Sequence, residues 1–267
     1  MREARQRSFS MWRNRRLRRA MRALARAPAA LRWTLAVLAI AALWAAANWT
    51  YHALRKPTEL LFPVSGALVK TPEQTWREYG ADFRRHATAA ITPELLAALA
   101  QVEAAGNPLA RTYWRWAPSW HPFEIYRPAS SAVGMYQITD ATFAGSRPEC
   151  RDPAAGGDPF PGAALSCSLG SYYERVMPGE AIALAAGMLD RAVAGTLKRE
   201  RIRGATPQQK QDLAAVIHLC GAGAGLAYAR QRFRPGAGQR CGDHDLRAYL
   251  ARIGAMKRVF ARLAGDA

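Results

Sequence analysis

Negative charge is scarce in this sequence: 20 Asp and Glu face 38 Lys and Arg, a formal net charge of +18 over 267 residues. The shortage is uneven. Residues 1–32 hold eleven Arg and a single Glu, so most of the surplus lies in one arm and a uniformly basic nucleic-acid-binding chain is excluded. Cysteine is scarce as well. Cys150, Cys167, Cys220 and Cys241 show no CxxC spacing, which excludes a zinc ribbon or thioredoxin-like motif, and neither a metal site nor a cofactor is expected. Sustained alternation of apolar and polar residues is also missing, which excludes an all-β domain. Hydrophobic residues make up 50% of the chain, enough for one full core or two smaller ones, so general disorder is excluded too.

Charge disappears entirely from Trp33 to Leu54, a run of twenty-two residues. As a helix this run reaches roughly 33 Å, enough for the ~30 Å hydrocarbon layer. Trp33 stands at one end and Trp49 and Tyr51 near the other, as interfacial aromatics do. Only Arg55 and Lys56 follow closely, so the positive-inside rule keeps the N-terminus cytoplasmic and exports the rest. The expected organisation is a basic cytoplasmic segment at 1–32, a transmembrane helix at 33–54, a linker at 55–72 rich in Pro and Gly, and an exported domain at 73–267. A cleaved signal peptide is the rival reading, although the apolar run exceeds the usual 7–15 residue core. In an oxidising compartment four cysteines form two disulfides, and the sequence-local pairing 150–167 with 220–241 is the first choice of three; buried thiols are the alternative.

Within the exported part, three helices open on Thr followed by Pro, at Thr71, Thr92 and Thr206, a cap followed by a residue suited to the first helical position. Further helices are expected over 177–201, 225–233 and 243–263, so the domain is mainly α-helical. Two long irregular stretches, 107–133 and 144–166, interrupt it, and loops of that length carry function or are disordered.

The helix expected over 93–105 presents Leu96, Leu99 and Ala100 on one face. Glu103 falls four residues after Leu99, on or beside this apolar stripe, just before a helix-stopping Gly-Asn-Pro. A carboxyl pressed against apolar surface loses hydration, which favours its neutral form and suits a general acid. A solvated Glu at a helix end fits the periodicity equally well. Downstream, Asn107, Pro108 and Ala110 form an Asn-Pro-x-Ala element, and Ser131, Gly134, Met135, Tyr136 and Gln137 lie in "SSAVGMYQ".

Taken with Glu103, these elements resemble the soluble lytic transglycosylase family. The resemblance covers roughly residues 90–230 and implies a lysozyme-like, mainly helical fold that binds peptidoglycan glycan strands. It implies cleavage of the β-1,4 bond between N-acetylmuramic acid and N-acetylglucosamine with a 1,6-anhydromuramoyl product, and it makes Glu103 the single acid and base. Ordinary glycosidases need two carboxylates, whereas the only acid between 104 and 139 is Glu124, and Asp140 reads as a helix cap. Gln137 would hold a sugar amide through its two-sided amide group, or brace the loop. Gly134 would permit close backbone approach or a positive φ. Ser131 matches the motif, and Met135 and Tyr136 would line the cleft or enter the core. The sequence departs from the family at Ala104, where Ser or Thr is usual. It departs again at Cys220 and Gly221, where the Tyr and Asn of a later Ala-Tyr-Asn-x-Gly element are expected. His218 and Tyr228 are the candidates to replace that tyrosine. The aromatic and Arg-rich stretch 111–128 reads as a cleft wall stacked on sugars or as an aromatic minicore.

Three functions remain in view: a membrane-tethered lytic transglycosylase or hydrolysing lysozyme in the periplasm, a non-catalytic glycan-binding component of an envelope apparatus, and a chain whose Arg arm contacts nucleic acid. The arm beside a membrane span is better read as a topology signal, so no nucleic-acid partner is expected. General wall turnover and opening of the wall for a secretion or conjugation apparatus are both compatible with the sequence.

Overall fold

The computed structural model describes residue 22, residues 25–146 and residues 170–266. The chain is mainly helical. The first helix, α1 (Ala29–Arg55), is predominantly apolar and outwardly exposed over most of its length. Prolines and glycines then end it, but residues 55–72 do not run free. They fold into a 3-10 turn (Pro57–Leu61), the short α2 (Phe62–Ser65) and a second 3-10 turn (Gly66–Leu68). Glu59 is buried there, 3.3 Å from Lys56 and 2.9 Å from Arg111, and accepts a hydrogen bond from Trp114. The expected linker is thus a packed strap, because the prolines that break a long helix are compatible with short turns.

The Thr-Pro starts behave as expected. Helices α3 (Pro72–His86) and α4 (Pro93–Ala104) open on Thr71 and Thr92, whose hydroxyls accept from the backbone N–H of Gln74 and Leu95. The core is built around α4. Leu95 to Ala100 are all fully buried, so this helix is apolar on every side, as a central helix must be. Its neighbours supply Trp76 and Phe83 from α3 and Leu246, Tyr249 and Ile253 from α9 (Leu246–Gly265). Each buried Leu contributes roughly 1.5–3 kcal/mol.

Between them lie the hairpin β1 (Trp114–Trp116) with β2 (Tyr126–Pro128), the short α5 (Asp140–Ser146), and a helix described over 170–176, α6. Helix α7 (Pro178–Arg199) packs on α8 (Pro207–Arg230), which Thr206 caps. The segment expected as a separate helix at 225–233 is largely the second half of α8, set off by non-helical dihedrals at Gly221 (φ 81°, ψ 172°). A two-residue hairpin, β3 (Arg240–Cys241) with β4 (His244–Asp245), leads into α9, and the Asp245 side chain caps it. Helix α8 is apolar and long enough to cross a membrane, but Leu213 to Ile217 are buried in the core.

Candidate active site

Glu103 stands in the last turn of α4. Ala105 and Gly106 then adopt left-handed dihedrals, φ 49° and 64°, which end the helix at once. At Gly106 a Cβ would lie 2.2 Å from the Thr75 hydroxyl oxygen, so only glycine lets the chain turn there. The Thr75 hydroxyl itself donates to Gln101 Oε1, fixing the turn to α3. This sharp exit leaves the Glu103 side chain at the edge of the core, 17% exposed. The Tyr249 hydroxyl from α9 donates to Glu103 Oε1 at 2.6 Å. Burial first, and then the negative charge of Glu103, hold that phenol protonated well above its ordinary range. His218 Nε2 on α8 lies 3.7 Å from the same oxygen.

The motif residues downstream of Glu103 build a rigid rim. Asn107 is buried, donates to the Ser65 carbonyl at 2.6 Å and accepts from the Leu109 N–H, which locks the strap to the end of α4. The Ala110 carbonyl accepts from the Gly134 N–H and from Gln137 Nε2. Gln137 also donates to the Gly134 carbonyl at 2.8 Å, so its amide hydrogens brace the loop. At Gly134 (φ 77°) a Cβ would fall 1.9 Å from the Arg175 carbonyl oxygen. Arg175, buried, crosses the back of this loop: it donates to the Ile138 carbonyl and pairs with Asp140 at 2.8 Å. The Ser131 hydroxyl accepts from the Asp140 N–H at the start of α5. Thr139, one residue earlier, accepts from the Thr142 N–H and is the cap that the sequence assigned to Asp140.

These elements enclose a cleft of about 1270 Å³. Glu103, Gln137, His218 and Tyr249 line it, as do Cys220 and Gly221. Among the described lining residues Glu103 is the only carboxylate, facing Arg111, Arg191, Arg240 and Arg252. The wall is therefore basic, with one carboxylate among its described residues. Glu124 is elsewhere, in the hairpin loop, where Arg127 donates to it at 2.7 Å.

Other expected positions divide. Met135 and Tyr136 are buried in the core beneath the cleft, and the Tyr136 hydroxyl donates to the Leu96 carbonyl, so they support the rim from inside. Tyr228 is also buried, set edge-on against Phe233 and pushed up to about 12 by burial; it does not reach the cleft. Cys220 and Cys241 form a disulfide that ties the α8 kink to the β3–β4 hairpin. Cys150 and Cys167 lie outside the described residues. The aromatics of 111–128 turn toward α1: Trp44 stacks on Trp116 and Tyr51 on Phe123, so most of this stretch is an aromatic minicore against that helix. Arg111, Thr112 and Tyr113 alone from it reach the cleft.

Tyr249 and Arg175 were not singled out from sequence. Tyr249 is 146 residues from its partner. The signal available for it was its place with Leu246 and Ile253 on one apolar face, where a phenol hydroxyl needs a buried partner. Arg175 gave no such signal, because its neighbours are brought together only by folding.

None of the curated proteins compared with the chain matches it. Residues 83–205 do match a family model, described as the Transglycosylase SLT domain. Glu103, Ser131, Gly134 and Gln137 lie inside that match, whereas His218, the Cys220–Cys241 bridge and Tyr249 lie beyond it. The match falls on the mainly helical part of the chain that holds Glu103, so residues 83–205 are similar to a transglycosylase SLT domain.

Proposed function

We propose that this protein is a peptidoglycan lytic transglycosylase, held in the inner membrane by α1 with its catalytic domain in the periplasm, and that Glu103 is its one acid and base. The observation that carries the reading is Glu103 as the sole carboxylate among the described cleft residues, gripped by Tyr249. A single group must then do both proton transfers. Protonated Glu103 gives its proton to the glycosidic oxygen as the bond to the muramic acid C1 breaks, with the substrate's acetamido oxygen assisting at C1. The Glu103 carboxylate then takes the proton of the same sugar's 6-hydroxyl while O6 bonds to C1, closing the 1,6-anhydro ring. No water is consumed, and Glu103 ends in its starting protonation state. The Tyr249 phenol, kept protonated, donates to Oε1 throughout and supports the carboxylate between the two transfers, the part left open by Cys220 at the usual tyrosine position. His218 offers a second polar contact, and the arginines attract the carboxylates of stem peptides.

The full-length protein in detergent, incubated with peptidoglycan sacculi, should release anhydromuropeptides detectable by mass spectrometry. Glu103→Gln should lower that release by at least about 100-fold, the usual worth of a positioned acid-base group. Reducing, hydrated products would instead make the enzyme a lysozyme. A second reading, a glycan-binding component without turnover, draws on Ala104, which offers no hydroxyl beside Glu103, and on the engaged amide of Gln137. Binding of sacculi with no product from the wild-type protein would favour it.

A further inference from the structure

Helix α1 carries four polar or hydrogen-bonding side chains at intervals of four residues or just after its end: Trp44, Asn48, His52 and Lys56. Each meets a backbone carbonyl of the 112–130 stretch. Trp44 Nε1 donates to Pro122 O at 3.2 Å, Asn48 Nδ2 to Tyr126 O at 2.7 Å and Lys56 Nζ to Ser130 O at 3.3 Å, while His52 Nε2 lies 2.7 Å from Phe123 O. Positions four apart share one helix face, so the β1–β2 hairpin is docked along a single stripe of α1 over its last three turns.

Length decides where that hairpin must be. The part of α1 that the hairpin leaves uncovered, Ala29–Leu43, is about 22 Å long. The hydrocarbon layer is ~30 Å thick. A bilayer spanned by α1 therefore extends past Trp44 and reaches the hairpin. The hairpin suits that location. Its outward surface exposes Trp116 and, completely, Trp120, with Arg115 beside them, the amphipathic mixture found where a bilayer meets water. Its backbone groups nearest α1 are satisfied by the stripe and by the antiparallel pairing of Trp114–Trp116 with Tyr126–Pro128, as hydrocarbon requires. The strap beyond α1 exposes Leu60, Leu61 and Val64 as well.

We propose that the β1–β2 hairpin is a membrane-seated element: Trp116 and Trp120 sit in the outer boundary of the lipid bilayer, and the hairpin locks the catalytic domain to its own transmembrane helix at fixed height. This rests on the membrane reading of α1, not on the reaction assigned to Glu103.

The test is photolabelling of the full-length protein in phospholipid nanodiscs with a lipid bearing a diazirine in its acyl chain, with adducts located by mass spectrometry. The expected result is adducts on 113–123 at yields of the same order as those on the exposed α1 residues Leu43 and Trp49. Trp120→Glu, a change at a wholly exposed position, should cut the hairpin labelling several-fold and leave that of α1 unchanged. Adducts on α1 alone would overturn the proposal and keep the anchor. Adducts on neither would overturn both, and equal hairpin labelling in Trp120→Glu would likewise overturn it. No outcome depends on turnover, so failure here is distinct from failure of the transglycosylase reading.

Discussion

Tyr249 and Glu103 share a 2.6 Å hydrogen bond between a neutral donor and a carboxylate, a type of contact worth about 1.5–3 kcal/mol. Tyr249→Phe keeps the ring packed in the core and removes only the donor. Turnover of sacculi should fall by at least about tenfold, because support for the carboxylate is lost while the cleft is kept, and product assays on the folded variant check this. Gly134 carries a different kind of demand. An added Cβ would overlap the Arg175 carbonyl at 1.9 Å, and φ is 77°, so Gly134→Ala should destabilise the fold by about 3 kcal/mol or more, among the large single-substitution effects. Thermal or denaturant unfolding of the variant measures it. At this scale the place of Glu103 at the end of an apolar helix was legible, because an apolar run before a Gly-Asn-Pro stop is a pattern in the chain itself, though that pattern fits a solvated Glu equally well. Tyr249 was not, because its role exists only once α9 lies against α4.

Helix α8 shows how an element can carry a cost for its place in the core. Asp212 accepts from Gln208 at 2.7 Å, yet burial raises it above its ordinary 3.8, with Gln208 and Lys257 opposing only in part. The folded state therefore binds the Asp212 proton more tightly than the unfolded state does. Stability falls as pH rises from 3.8 through the higher folded value. Asp212→Asn should thus be more stable than the wild type at pH 7, with the advantage shrinking as pH drops below that window; urea unfolding at pH 7 and pH 4 compares them. Element starts were well marked in the sequence, since Thr-Pro supplies both the cap and a pre-set φ. The halves of α1 were harder to tell apart. Its four-residue polar stripe is short and set in an apolar run, and hydropathy averages it away. The prolines and glycines of 55–72 read as a free tether, although Glu59, Lys56 and Ser65 each hold it to the domain.

For the whole molecule, the Cys220–Cys241 bridge closes a 21-residue interval across the α8 kink and the cleft wall. Replacing both cysteines with serine should cost roughly 3 kcal/mol by the loop-entropy argument, seen as a lower unfolding midpoint, with the cleft-lining segment 217–224 exchanging amide hydrogen faster. The sequence by itself determined the charge asymmetry, the apolar first helix and the mainly helical class, because each depends on spacing along the chain and on local propensity. The tertiary structure alone decided the rest. It chose Tyr249 rather than Tyr228 as the partner of Glu103, set Met135 and Tyr136 in the core, turned most of the aromatic stretch from the cleft to α1, and made a packed strap of the expected linker. Those outcomes depend on which faces meet across gaps of tens to hundreds of residues, where burial and hydrogen-bond satisfaction act between elements and leave no periodic trace in either one.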